Sequence, residues 1–294
     1  MSTQEPCPIS DEARALLRAA LALRPRALLS DIDGTLSAIA PTPEQATLLP
    51  GIRDLLVEAQ RVFDVVAVVS GRAASDALRM VGVPGLISMG SHGLERLESE
   101  EPSTQPSILR HVIYPPAEPY REHIAEALAA IGSALAPRYP GLLLEDKGVT
   151  ASVHVRQTAD PPATEAAVFA IAKEITGPLG LRVTRGRLVV ELRPPVEMNK
   201  GLAIAELIHE RGLRSAIYLG DDTTDRDAFR ALKRLTGKAK PEAPSGEPAF
   251  RGVGIAVLSD EAPPTLAQEA NIALDTITQV PMLLRWLVTE GALL

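Results

Sequence analysis

Residues 28–36 read Leu-Leu-Ser-Asp-Ile-Asp-Gly-Thr-Leu, so two carboxylates stand at i and i+2 where an apolar strand runs into a glycine-permitted turn. Side chains two apart on a strand share a face, which aims Asp31 and Asp33 together while Ile32 packs the other way. Like charges held that close are costly unless a cation or a shared proton compensates them. A hard cation such as Mg2+ takes carboxylate oxygens and keeps waters and substrate phosphate around it. The plainer alternative is an acidic turn after an edge strand, and the rest of the chain decides against it.

With 294 residues, 46% hydrophobic and 23% charged, the chain is ordinary globular material for one large or two medium domains. A formal net charge of −7 argues against a general nucleic-acid or anionic-membrane surface. The single cysteine, Cys7, excludes a disulfide framework and a cysteine metal site, so a reducing cytoplasm is the expected location. No basic segment followed by an apolar one opens the sequence, and no run reaches 18 apolar residues, so no membrane association is expected.

Continuous apolar runs at 27–30, 65–69, 86–89, 216–219 and 253–257 are what buried parallel strands require, since both of their faces are covered. Amphipathic stretches at 10–23 and 51–60 read as helices. Polar turns end three of the strands: Ser70-Gly71-Arg72, Gly90-Ser91-His92-Gly93 and Gly220-Asp221-Asp222. Both ends of the chain therefore read as α/β with a site at the strand ends.

The middle differs. A Pro- and Ser-rich stretch at 102–119 leads to one helix face marked by Ile124, Leu128, Ile131 and Leu135, and a second helix over 163–175 carries Val168, Ile171 and Ile175. Strands of alternating character accompany them: Ser152, His154 and Arg156 share one face, as do Glu191 with Arg193 and Glu145 with Lys147. Residues 113–194 are thus read as an inserted domain with a small, one-side-polar sheet, between core segments 1–112 and 195–294. Residues 237–252 read as an exposed loop, and Trp286 as a packing residue.

In order along the chain, Asp31-Ile32-Asp33-Gly34-Thr35-Leu36, Ser70-Gly71-Arg72, Lys200-Gly201 and Gly220-Asp221-Asp222-Thr223-Thr224-Asp225 resemble the four motifs of the haloacid dehalogenase superfamily of phosphatases. Gly90-Ser91-His92-Gly93-Leu94-Glu95, Glu145-Asp146-Lys147 with Ser152-Val153-His154-Val155-Arg156, and Glu191-Leu192-Arg193-Pro194 are similar to the trehalose-6-phosphate phosphatase family. The resemblance spans residues 28–287. Its core motifs imply only Mg2+-dependent phosphotransfer; the sugar assignment rests on the motifs of the inserted domain. One departure is Arg226, where the family commonly has Glu, although Asp221 and Asp222 remain.

The resemblance implies a Rossmann-like α/β core with a parallel sheet, a smaller inserted α/β cap, and hydrolysis of trehalose 6-phosphate through an aspartyl-phosphate. Asp31 is then the nucleophile, and Asp33 protonates the departing sugar oxygen and later takes a proton from the hydrolytic water. Mg2+ falls to Asp31, the backbone carbonyl of Asp33 and Asp221, with Asp222 acting directly or through water. Ser70 and the amides of Gly71 and Arg72, at an expected helix start, hold phosphoryl oxygens while Lys200 supplies a point charge. His92 either touches substrate or shapes the cleft.

The resemblance implies that Glu145, Lys147 and Glu191 contact the sugar hydroxyls, residue types suited to this because a charged hydrogen bond discriminates strongly against an analogue that leaves it unpaired. His154, Arg156 and Arg193 lie on similarly polar faces, with Arg156 reaching the phosphate or pairing with a carboxylate. The expected partners are a small sugar phosphate and, transiently, trehalose-6-phosphate synthase. Three alternatives stay open. A phosphatase for another sugar or polyol phosphate changes only the cap. A phosphomutase must retain its phosphoaspartate long enough to return it. A non-catalytic sugar-phosphate sensor sits badly with intact Asp31, Asp33, Ser70, Lys200 and Asp221.

Overall fold

A computed structural model describes residues 9–99, 109–236, 250–260, 262–263 and 265–294. Cys7, residues 102–108 of the Pro- and Ser-rich stretch and residues 237–249 of the expected loop lie outside them. The described chain begins α1 (Asp11–Leu21), β1 (Arg26–Ser30), α2 (Ile52–Ala59), β2 (Val65–Val69), α3 (Ala74–Val81), β3 (Ile87–Gly90), β4 (Glu95–Ser99) and β5 (Leu109–Ile113). It continues through α4 (Arg121–Leu135), β6 (Leu143–Asp146), β7 (Ala151–His154), α5 (Pro161–Thr176), β8 (Arg182–Arg185) and β9 (Val189–Arg193). It closes with α6 (Lys200–Glu210), β10 (Ser215–Gly220), α7 (Asp225–Thr236), β11 (Arg251–Val257), α8 (Leu266–Glu269), β12 (Ile272–Leu274) and α9 (Val280–Gly291). No described helix is long and apolar enough to cross a membrane.

The described residues form two compact units, one drawn from the ranges 9–39, 46–111 and 198–294 and another from 40–45 and 112–197. The first is built on a sheet of order β12-β11-β10-β1-β2-β3-β4-β5, parallel from β12 to β3, with β4 antiparallel to β3. β1 is central, Leu28 lying in register between Ile217 of β10 and Val66 of β2, and every residue of β1 is buried. That double coverage is why these strands carry no alternation. Leu17, Leu21, Ile52, Leu56, Leu283 and Leu287 bring α1, α2 and α9 into the same core as Leu28, Val68, Ile217 and Val253. Trp286 packs against this core, with Arg18 over its ring.

One charged residue buried in this core is structural. Arg26, fully buried, donates from Nε to Val62 O at 2.9 Å, from Nη2 to Gly291 O at 2.5 Å and from Nη1 to Leu21 O. Leu21 and Gly291 close α1 and α9, and Val62 follows α2, so one guanidinium satisfies carbonyls that helix ends leave without partners. Burial lowers its pKa from the ordinary arginine value, with Arg24 adding to the effect and Asp64 opposing it.

The second unit is an antiparallel sheet of order β6-β7-β9-β8. Ala151, Val153, Val190 and Leu192 share a core with Ile124, Ile131 and Leu135 of α4 and Val168 of α5. Cross-strand pairing sets Glu145 opposite Ser152, Ser152 opposite Glu191 and Glu191 opposite Thr184, so a polar row crosses the other face.

Three local expectations are corrected. β11 begins at Arg251, and Phe250 and Gly252 are buried, so the end of the expected loop is core strand. The helix after Ser70 starts only at Ala74, because Arg72 turns back through its amide onto Ser70 Oγ at 3.3 Å. Lys147 lies in a hairpin turn rather than in β6, its N–H donating to Thr150 O at 3.0 Å.

Candidate active site

Because β10, β1 and β2 are adjacent and parallel, their carboxyl ends stand side by side and deliver Asp221, Asp31 and Ser70 as neighbours. The Asp31 N–H donates to Leu219 O at 2.8 Å, which carries the β1–β10 ladder one residue past the strand. Gly34 then turns the chain with φ +86°, and an added Cβ there would sit 2.1 Å from Asp221 Oδ2. Glycine is required at this position by the backbone conformation and by the close approach of the second acid. Thr35 Oγ1 donates to Asp221 Oδ1 at 3.2 Å.

Asp31, Asp221 and Asp225 are buried and each offers a carboxylate oxygen within 4.8 Å of the others. Lys200, 2% exposed, places Nζ 3.0 Å from Asp31 Oδ2 and 2.7 Å from Asp225 Oδ1. It is the first residue of α6, whose N-cap Asn199 accepts from Leu202 N–H at 2.9 Å. Gly201 lets that helix start touch α7, since an added Cβ would lie 2.2 Å from Asp227 O. Burial pulls the Lys200 ammonium toward neutrality, but Asp225 and Asp31 outweigh it and hold its pKa above the ordinary lysine value. Burial pushes Asp31 well up; Lys200 opposes this, while Asp225, Asp221 and Asp33 add to it.

Three carboxyl groups crowd one ammonium where water is excluded, an arrangement that is costly without a further cation or a shared proton. A divalent cation fits this donor set, which is all hard oxygen. Asp225 has the least capacity left to ligate it. Its Oδ1 accepts from Lys200 Nζ and from the Tyr218 hydroxyl, and its Oδ2 accepts the N–H groups of Asp221 at 2.9 Å and Asp222 at 2.8 Å. Both oxygens are thus occupied, and Asp225 braces the loop that presents Asp221. Burial, ahead of Asp225, Asp31 and Asp221, keeps Tyr218 well above its usual pKa and therefore a donor. Asp222 stands outside the cluster, its Oδ1 accepting from Thr223 N–H at 2.5 Å. Sequence reasoning gave Asp225 no role; the available signal was its place four residues after Asp221, opening α7.

The paired aspartates part company beyond β1. Asp31 faces Lys200, whereas Asp33 is held by Arg72, Nε to Oδ2 at 2.7 Å and Nη2 to Oδ1 at 2.8 Å. Each has its own cation because the strand ends at Ser30 and the chain is already turning. Arg72, expected on substrate, thus has its guanidinium on Asp33. The segment from Ser70 to Arg72 is zipped to a second loop: Ser91 N–H donates to Arg72 O at 2.7 Å and His92 N–H to Ser70 O at 2.9 Å. The His92 ring lies against Gly71.

In the second unit, Lys147 Nζ stands 3.7 Å from Glu145 Oε2 and 3.8 Å from Glu191 Oε1, and His154 Nε2 meets Glu145 Oε2 at 2.7 Å. The expected trio is therefore assembled, with His154 joined to it. Arg156 and Arg193 are half-buried nearby in sequence, past β7 and at the end of β9.

A family model for trehalose-phosphatase matches residues 29–250. The chain belongs to the trehalose-phosphatase family. It is 36% identical over 227 residues to a trehalose-phosphate phosphatase of Mycobacterium tuberculosis, covering 75% of this chain and 55% of the relative. It is 35% identical over 223 residues to the Mycobacterium leprae trehalose-phosphate phosphatase, covering 72% and 49%. A Mycobacterium tuberculosis protein described as an uncharacterized glycosyl hydrolase is 36% identical over 253 residues, 83% of this chain and 17% of that protein. The chain thus spans about half the length of the phosphatase relatives. Among solved structures, the Candida albicans trehalose-6-phosphate phosphatase C-terminal domain shares the fold at TM-score 0.71 and 19% identity, covering 98% of this chain and 99% of that one.

Proposed function

We propose that the protein is a Mg2+-dependent phosphatase that hydrolyses trehalose 6-phosphate to trehalose and phosphate. The observation that carries the reading is Asp31 buried against Lys200 beside Asp221, a carboxylate nucleophile with the counter-charge that phosphoryl transfer calls for. Family membership supports it. Residues 113–194 serve as the inserted cap, and the sugar hydroxyls are assigned to Glu145, Lys147 and Glu191, assembled as two acceptors around one donor.

Asp31 attacks phosphorus in line; the P–O bond to the sugar breaks and its electron pair leaves with the sugar oxygen, which takes a proton from Asp33. Water then attacks the phosphorus of the aspartyl-phosphate, gives its proton to Asp33, and releases phosphate and the Asp31 carboxylate. Lys200 balances charge as it moves between Asp31 and the phosphoryl group, and Arg72 fixes the direction of Asp33. Ser70, the amide of Gly71 and His92 are assigned to the phosphoryl side. Asp31, Asp221 and the Asp33 carbonyl would hold Mg2+, which supplies charge neutralisation between the attacking carboxylate and the phosphoryl oxygens.

The deciding experiment is phosphate release by purified protein across a panel of sugar and polyol phosphates, with and without Mg2+. Trehalose 6-phosphate leading the panel supports the reading, and equal turnover of glucose 6-phosphate removes the disaccharide specificity. Release that needs a bisphosphate activator would indicate a phosphomutase. A cytoplasmic location and transient contact with trehalose-6-phosphate synthase belong to the same proposal.

A further inference from the structure

Glu95 opens β4, is 5% exposed, and has no part in the mechanism above. Its Oε1 accepts the N–H of Ala74 at 3.0 Å and the Ser91 hydroxyl at 3.1 Å; its Oε2 meets His111 Nε2 on β5 at 2.8 Å. One buried carboxylate therefore ties together a helix start, a loop and an edge strand.

The helix start lacks a side-chain cap from its own N-cap residue, and the loop carries an uncommon backbone conformation. The N-cap position of α3 is Ala73, which has no side-chain acceptor, so Glu95 supplies the missing cap from 21 residues away. In the loop, Ser91 and His92 have φ of +50° and +58°, followed by Gly93 at +99°. Two consecutive non-glycine residues in that region are costly and persist only where the surroundings over-determine them. The strained loop presents the Ser91 and His92 N–H groups to the carbonyls of Arg72 and Ser70. Arg72 in turn grips Asp33.

We propose that Glu95 is a positioning residue for phosphoryl transfer, which locks the 90–93 loop and the start of α3 in the arrangement that presents Ser70, Arg72 and, through Arg72, Asp33. The proposal rests on the phosphatase reading. It differs from a plain structural brace in what it requires: losing the carboxylate must misalign chemistry while substrate affinity and the folded core persist.

The test compares Glu95→Ala, Glu95→Gln and Ser91→Ala with wild type in kcat, KM, unfolding midpoint and amide hydrogen exchange. Glu95→Ala is expected to lower kcat about 10- to 100-fold on trehalose 6-phosphate with KM little changed, the scale of an ångström-sized misplacement. Glu95→Gln keeps an oxygen for Ala74 and Ser91 and should stay within about fivefold of wild type, with Ser91→Ala between the two. Exchange at Ala74, Ser91 and His92 should quicken in Glu95→Ala while β1 and β10 stay protected. If Glu95→Ala does not fold, Ser91→Ala carries the same comparison. Unchanged kcat, a lowered unfolding midpoint alone, a raised KM with kcat kept, or unchanged loop exchange would each overturn the proposal. A wild-type protein that releases phosphate from no ester would instead overturn the phosphatase reading, and the exchange arm would still decide whether Glu95 holds the loop.

Discussion

Arg72 grips Asp33 with both arms of its guanidinium, Nε to Oδ2 and Nη2 to Oδ1, across 39 residues of sequence. A lysine cannot reproduce that planar fork. Arg72→Lys should therefore leave Asp33 present but misdirected, and proton delivery to the leaving oxygen should suffer most. The expected loss in kcat is about 10- to 100-fold on trehalose 6-phosphate and smaller on p-nitrophenyl phosphate, whose leaving group needs no proton. Equal losses on both esters would place Arg72 on the phosphate instead.

Asp31→Asn should fold and retain no measurable phosphate release, because an amide is no nucleophile and Lys200 keeps Asp225 as its partner. Turnover near wild type would end the covalent mechanism.

The acids of the cluster should separate by role. Chelation should silence the enzyme and Mg2+ restore it, and Asp221→Ala should need far more metal or stay inactive while its unfolding midpoint barely moves. Asp225→Asn should also lose stability, about 2–4 kcal/mol, since an amide nitrogen cannot accept the donors now shared by its two oxygens. Thermal unfolding of the two variants side by side decides this; a stable Asp225→Asn would return it to the ligand set.

For the second unit, alanine at Glu145, Lys147 or Glu191 should lower kcat/KM for trehalose 6-phosphate by roughly ten- to a thousandfold, from a charged hydrogen bond of about 1.5–3 kcal/mol plus lost alignment. The same variants should hardly change p-nitrophenyl phosphate hydrolysis. Equal losses on both would assign these residues to folding.

Arg26→Met should destabilise the protein by roughly 2–4 kcal/mol without changing kcat at low temperature, because carbonyls at two helix ends and after a third lose their donor. An unfolding midpoint equal to wild type would mean that water reaches those carbonyls.

The strands of the core were legible because burial on both faces leaves a mark in every residue, as in Val65-Val66-Ala67-Val68-Val69. Asp31, Lys200 and Asp221 were legible through motif order. Arg26 was not, since a charged residue opening an apolar strand looks like surface until the ends of α1 and α9 close over it.

Local sequence thus determined the elements and the order in which reactive residues follow their strands, because periodicity and turn chemistry act over a few positions. It also determined the family, through motifs at fixed places along the chain. Which charges meet was decided only by the tertiary structure. The Asp33 carboxylate finds Arg72 while that of Asp31 finds Lys200, Asp225 braces Asp221 while holding Lys200, and Glu95 caps a helix it does not adjoin. Asp225, Lys200 and Glu95 are buried charges set against polar partners that cannot stay unpaired in a low-dielectric interior, and Asp33 and Arg72 pair at its half-buried edge. Such partners are set by strand order and by how the chain turns after each strand, and neither can be read from a residue's neighbours in sequence.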